Sequence, residues 1–205
     1  MGAYLTAVEK GFFLNSIDFK KCNLTCDVGA GAGKFSLLAA ERNVDVIAID
    51  IDSSGLKRIK SKNDLICVVL ADAKNIPLKG GMFDAAFMME VVDYIPELET
   101  VMEECRRILK VGGSLVFSFG NKSSLKSKLR LLMGKHYMHT YCKVVQSLNK
   151  AGLQIVKKEG FNWLPFNRTS ENPSIPFLAN VENFFGLRKV PNLSPWVLIH
   201  AVKSK

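Results

Sequence analysis

The sequence is poor in the features that a secreted or membrane-inserted chain needs. Nowhere in its 205 residues does an apolar run approach the ~20 residues that span a bilayer, and the stretch from Val44 to Ile49 is already interrupted by Asp45. Met1 to Phe19 shows no basic segment followed by an apolar one, so no secretory leader is expected. The five cysteines (Cys22, Cys26, Cys67, Cys105 and Cys142) are scattered, and no Cys-x-x-Cys pair occurs. That excludes a zinc site or a redox motif of the usual spacing. The thiols are read as free and buried, since cysteine packs as a small hydrophobe, and a cytoplasmic setting is expected.

Acids are scarce in the second half. Residues 1–110 hold 14 basic and 16 acidic side chains, whereas residues 111–205 hold 14 basic and only 3 acidic ones, Glu159, Glu171 and Glu182. The formal net charge of +9 therefore comes from the later half, which points to an anionic partner or to a solvated basic face.

Strand and helix patterns alternate along the chain. Ala3 to Ile17 reads as an amphipathic helix, Asn23 to Gly29 as a strand running into glycines, and Lys34 to Arg42 as a helix. Val44 to Asp50 is a second strand, followed by a helix through Lys62 with Ser53 as its N-cap. Leu65 to Leu70 and Phe83 to Met88 are further strands. Pro96 opens a helix that runs through Leu109 and ends at Gly112-Gly113, and Ser114 to Phe119 is a fifth strand. This βαβ rhythm predicts an α/β fold, a parallel sheet with helices on both faces. Beyond Gly120 the pattern changes. A basic amphipathic helix is expected over Lys122 to Met133, a helix over Thr140 to Ala151, a strand over Leu153 to Phe161, a helix over Phe177 to Gly186 and a last strand over Pro195 to Lys203. The reading is one domain over 1–205, with a cofactor half up to about 120, substrate-side helices over about 121–195, and the terminal strand at 196–203.

The most informative segment is Asp27-Val-Gly-Ala-Gly-Ala-Gly-Lys-Phe35. Gly29, Gly31 and Gly33 sit between the first strand and the following helix, where a tight turn lets a ligand approach the backbone. Asp50 ends the second strand, where a carboxylate can accept from both hydroxyls of a ribose. Spacing separates cofactors: the dinucleotide fingerprint wants its third glycine at position 34, which is Lys34, and no P-loop spacing is present. A ligand with ribose but no pyrophosphate suits this turn better.

Five motifs occur in order: the glycine turn, Ala48-Ile-Asp-Ile51, Ala71-Asp-Ala73, Phe83-Asp-Ala-Ala-Phe-Met-Met-Glu-Val91 and Arg106-Arg-Ile-Leu-Lys-Val-Gly-Gly-Ser-Leu-Val116. Together they resemble class I S-adenosylmethionine-dependent methyltransferases of the small-molecule type. The resemblance is strong over Leu24 to Phe119 and weaker through Ala151-Gly-Leu-Gln-Ile to the end. It implies a Rossmann-like sheet of seven strands, mostly parallel, with the last strand antiparallel. It implies S-adenosylmethionine as cofactor, with S-adenosylhomocysteine as product. It also implies that Gly29, Gly31 and Gly33 line the methionine and ribose portions, with Asp27 near the methionine amino group and the Met89 backbone facing that ammonium. Asp50 would bind the ribose hydroxyls, Ile51 would pack on the adenine, Asp72 would accept from its exocyclic amine, and the Ala73 backbone would read the ring edge. After Glu90 the chain departs from its relatives, with Asp93-Tyr94 where they often carry a histidine or an aromatic pair.

Methyl transfer from a sulfonium needs neither metal nor covalent intermediate, and a general base only where the acceptor must lose a proton. His136 and His139, with Tyr137 and Tyr141 beside them, are the candidates for that base; no third ligand accompanies the histidines, so no metal is assigned. No Asn/Asp-Pro-Pro-aromatic motif follows the fourth strand and no Pro-Cys pair occurs, which by resemblance disfavours base methylation in nucleic acid. The acceptor is expected to be a small molecule, anionic or lipid-like. The basic helix around Lys122, Lys126, Lys128, Arg130 and Lys135 is compatible with contact to an anionic membrane surface. Aromatic residues are not interleaved with these charges, which disfavours nucleic acid. Phe161, Trp163, Phe166, Phe177, Phe184 and Phe185 are read as core, lid or pocket wall. Two alternatives stay open at this point: an RNA methyltransferase with a basic C-terminal half, and a noncatalytic scaffold that binds S-adenosylmethionine.

Overall fold

The computed structural model describes residues 2–124, 126–128, 139–163, 182 and 184–205. Among these, helix α1 (Gly2–Ser16) precedes strand β1 (Leu24–Val28), helix α2 (Lys34–Ala40), strand β2 (Asp45–Asp50) and helix α3 (Ser53–Lys62). Strands β3 (Cys67–Leu70) and β4 (Phe83–Met88) follow, then helix α4 (Leu98–Ile108), strand β5 (Leu109–Gly120) and helix α5 (Tyr141–Lys150). Strands β6 (Leu153–Phe161) and β7 (Trp196–Lys203) end the fold.

All seven strands share one sheet in the order β3-β2-β1-β4-β5-β7-β6. Strands β1 to β5 pair in parallel, and β7 lies antiparallel between β5 and β6. The central strands are apolar on both faces, as a sheet covered on both sides requires. One face packs Phe12, Phe13, Phe35, Phe87 and Val116 against α1 and α2. The other packs Met88, Val101, Met102, Phe117 and Leu148 against α4 and α5. Phe13 meets Phe35 and Phe87 edge to face, at 5.2 and 4.9 Å between ring centroids.

Four sequence readings are corrected. The N-cap of α3 is Asp52, not Ser53, because the Asp52 carboxylate accepts from the Ser54 and Gly55 amides. Strand β3 begins at Cys67 rather than Leu65, since the Asn63 side chain accepts from the Leu65 amide and holds a turn there. Helix α4 stops at Ile108. Gly112 and Gly113 belong to an irregular stretch of β5, where the pairing jumps from Phe83–Leu109 to Ala85–Ser114 and Gly112 adopts φ +78°. Cys22, Cys26 and Cys105 are buried free thiols as expected, but Cys67 and Cys142 are exposed, the first because it lies on an edge strand. The expected helices over 122–133 and 177–186 fall largely outside the described residues.

Candidate active site

The site forms where β1, β2, β3 and β4 end. There a cavity of about 490 Å³ is lined by Gly29, Asp50, Ile51, Ala71, Asp72, Ala73, Lys74, Glu90, Val91 and Tyr94 to Glu97. Four loops from four strands thus converge on one space, at the carboxyl ends where a doubly wound sheet places its ligands.

The turn after β1 is compressed, and its glycines have separate reasons. The Gly29 and Ala30 amides both donate to the Ile49 carbonyl, at 2.8 and 2.9 Å. A Cβ on Gly29 would stand 2.5 Å from Val91, and one on Gly33 2.6 Å from Ile59. Gly31 differs: at φ +52° its Cβ would meet nothing within 4 Å, so open space lies above it. Its carbonyl would stand 2.4 Å from a Cβ on Gly55, so α3 is pressed against the turn.

The Asp50 carboxylate is fixed by two amides. Gly31 N donates to one oxygen at 2.7 Å and Asp52 N to the other at 2.8 Å. Both oxygens keep lone pairs for further donors. Beside it, Ile51 is 75% exposed, an apolar side chain left uncovered inside the cavity. Asp72 accepts from the Lys74 amide at 2.9 Å, and the Lys74 ammonium stands 3.7 Å from Asp72 and 3.5 Å from Glu97.

Of the residues singled out from the sequence, Gly29, Asp50, Ile51, Asp72 and Ala73 meet in the cavity lining. Gly31 and Gly33 complete the turn behind them. Asp27 and Met89 are buried beneath. The Asp27 carboxylate accepts from the Ser36 hydroxyl at 2.6 Å, and burial raises its pKa to about 7 against the Ser36 hydrogen bonds that lower it. His139 is not in the cavity lining, but its Nε2 lies 2.8 Å from the carbonyl of Ile95, which is, so Nε2 donates there. His136 lies outside the described residues.

Three features were missed. The Lys34 ammonium bridges Glu9 of α1 (3.1 Å) and Glu90 (3.3 Å). Glu9 is 1% exposed, and burial, then the Glu90 carboxylate, raise its pKa to about 7 against the pull of Lys34. Glu90 itself adopts φ +65°, with its amide donating to the Ser118 hydroxyl at 2.9 Å. Strained backbone of this kind persists only where the surroundings enforce it. The Asp93-Tyr94 departure also resolves: Asp93 turns inward, both its oxygens 3.0 Å from the Gly120 amide, while Tyr94 faces the cavity. Only the position of Lys34, directly after the last glycine, was visible in the sequence. Glu9 gave no signal, since a charge in an amphipathic helix normally faces water.

Glycine turn, acid-tipped second strand and antiparallel β7 together define the class I S-adenosylmethionine-dependent methyltransferases. Residues 26–117 match the family described as "Methyltransferase domain". That match spans a little under half of the chain, over the part that holds the glycine turn and strands β1 to β4. The chain is 25% identical over 162 residues to a ubiquinone biosynthesis O-methyltransferase of Acinetobacter baylyi, covering 69% of this chain and 68% of that protein. In fold it is similar to an S-adenosylmethionine-dependent methyltransferase from Mesorhizobium loti, with a TM-score of 0.69, 18% identity, and 94% and 95% of the two chains covered. The geranyl diphosphate C-methyltransferase of Streptomyces coelicolor, in complex with Mg2+, geranyl diphosphate and S-adenosyl-L-homocysteine, gives a TM-score of 0.72 at 16% identity, covering 97% of this chain and 81% of that one.

Proposed function

We propose that this cavity holds S-adenosylmethionine and that the chain methylates a small, lipid-like acceptor presented from the side built by residues 121–195. The observation that carries the cofactor placement is the convergence of the Gly29–Gly33 turn, Asp50, Ile51 and Asp72 on one cavity. The fit is specific. Open space at Gly31 admits a ligand chain, the two-amide clamp leaves the Asp50 carboxylate ready for a pair of hydroxyls, and Ile51 offers an uncovered apolar face to an adenine. Asp72 is placed for an exocyclic amine, with the Ala73 backbone beside it.

When bound, the cofactor supplies an electrophilic methyl group on a sulfonium. The protein's part is to align donor and acceptor and exclude water, which can contribute about 7–11 kcal/mol of the barrier. Where the acceptor is a hydroxyl, His139, tied through Nε2 to the cavity-lining Ile95, is the candidate to take its proton through Nδ1. The lipid-like reading draws support from the relatives, a ubiquinone biosynthesis O-methyltransferase by name and a geranyl diphosphate C-methyltransferase. The reading of residues 1–205 as one domain draws its own support from the single sheet that holds every described strand.

The acceptor reading is tested with methyl-labelled S-adenosylmethionine and a cell extract divided into organic-soluble metabolites, aqueous metabolites and RNA. Label in the organic-soluble fraction is expected. Label confined to RNA, or none in any fraction, would contradict it.

A further inference from the structure

The segment leading into β7 carries two large apolar side chains that stand exposed. Phe184 and Phe185 are 86% and 69% exposed, with ring centroids 5.4 Å apart and planes at 89°, and Leu193 is also exposed. Scattered single apolar residues are ordinary on a surface, but a pair of exposed aromatic rings in contact with each other is not.

Its position is fixed by the sheet. Trp196 at the start of β7 pairs with Gly120 and Phe161, at the ends of β5 and β6. Because β5 runs parallel to β4, this is the end at which the cavity opens. The Asn121 side chain donates to the Asn192 and Ser194 carbonyls, at 2.8 and 3.1 Å, and the Ser127 hydroxyl reaches the Pro195 carbonyl. Asn121 and Ser127 therefore lie against residues 192–195, and exposed Lys189 belongs to the same stretch of chain as Phe184, Phe185 and Leu193.

The acids here are turned away. Glu182 is buried, accepting from the Tyr4 hydroxyl and, at 2.8 Å, from the Trp163 amide. Glu159 is paired with Lys157 at 3.2 Å. Among the described residues beyond Gly120 these are the only two acids, so this edge presents cations and apolar groups together. Cations in that company complement anionic headgroups, while the rings and Leu193 suit the acyl boundary beneath them. RNA is the poorer match, because one pair of rings set at 89° to each other is not the series of stacking platforms that successive bases need.

We propose that Phe184, Phe185 and Leu193, with Lys189 of the same segment, dock this enzyme on an anionic lipid bilayer. The proposal deepens the lipid-like reading of the acceptor and takes its purpose from it: docking would set the cavity's edge at the surface from which such an acceptor is drawn.

The test is flotation of the full chain with phosphatidylcholine vesicles, with and without phosphatidylglycerol, at low and high salt. Wild type is expected to float with the anionic vesicles, to float little with the neutral ones, and to be released by salt. The double variant Phe184→Ser/Phe185→Ser should lose about tenfold in partitioning, and Lys189→Glu should also weaken it. Both variants should keep the wild-type thermal shift with S-adenosylhomocysteine, which reports an intact fold and cavity. Failure of wild type to bind anionic vesicles, undiminished binding by the double variant, or binding to a poly-uridine RNA in place of vesicles would overturn the proposal. Vesicle association is read without turnover, so label transfer to organic-soluble metabolites with no flotation would sink the docking surface alone. Flotation without such transfer would sink the acceptor reading alone.

Discussion

Asp27 is a carboxyl placed under the glycine turn with almost no exposed surface, held by the Ser36 hydroxyl at 2.6 Å. Burial raises its pKa from 3.8 to about 7, so the folded state keeps a proton that the unfolded chain gives up near pH 4. The stabilisation of the protonated form is complete below the unfolded pKa and is lost as pH rises through about 7. The predicted outcome is that wild type loses stability between pH 5 and pH 8, and that Asp27→Asn, which keeps an oxygen for Ser36, flattens the curve by about 2–4 kcal/mol over that range. Urea denaturation at several pH values measures this; identical slopes for the two proteins would show that Asp27 is ionised in the fold. Glu9, raised to about 7 by burial and by Glu90, adds a slope of the same sign that the Asn variant retains.

Helix α1 is tied to the site by charge as well as by its apolar face. Leu5, Val8, Phe12 and Phe13 bury one side of it, and Glu9 on that same side meets Lys34 of α2, which also reaches Glu90 at the cavity. A cation between two carboxyls allows both to sit close with little net repulsion. Lys34→Met keeps much of the stem and removes the charge, so it should cost about 1–3 kcal/mol. It should also raise amide exchange in α1 more than in α4, which packs on the other face of the sheet. Equal exchange in both helices would mean that α1 is held by its apolar face alone. The same element scale shows why some boundaries were legible and others not. The starts of α2 and β2 follow from Gly33 and from the apolar run over 44–49, signals local to the chain. The end of α4 does not, because Gly112-Gly113 looks like a helix stop, whereas cross-strand pairing with Phe83 and Ala85 draws residues from Leu109 onward into β5.

Across the whole molecule, four of the five ordered motifs mark the ends of β1 to β4, and the parallel sheet brings those ends into one cavity. That is why the sheet, and the meeting of Gly29, Asp50, Ile51, Asp72 and Ala73 in one cavity, were legible: these residues sit where the backbone pattern changes. What was illegible joins positions far apart in sequence, such as Glu9 with Lys34 and Glu90, or Asp93 with the Gly120 amide. Nothing local distinguishes a carboxylate bound for such a partner from one bound for water. The account's central claim is that the glycine turn and Asp50 form the cofactor site. Isothermal titration of S-adenosylhomocysteine into wild type and Asp50→Ala tests it most directly. The account predicts a single site in wild type, and a loss of about 1.5–3 kcal/mol in the variant, the scale of charged hydrogen bonds. Equal affinity in the two proteins, with both still folded, would contradict it.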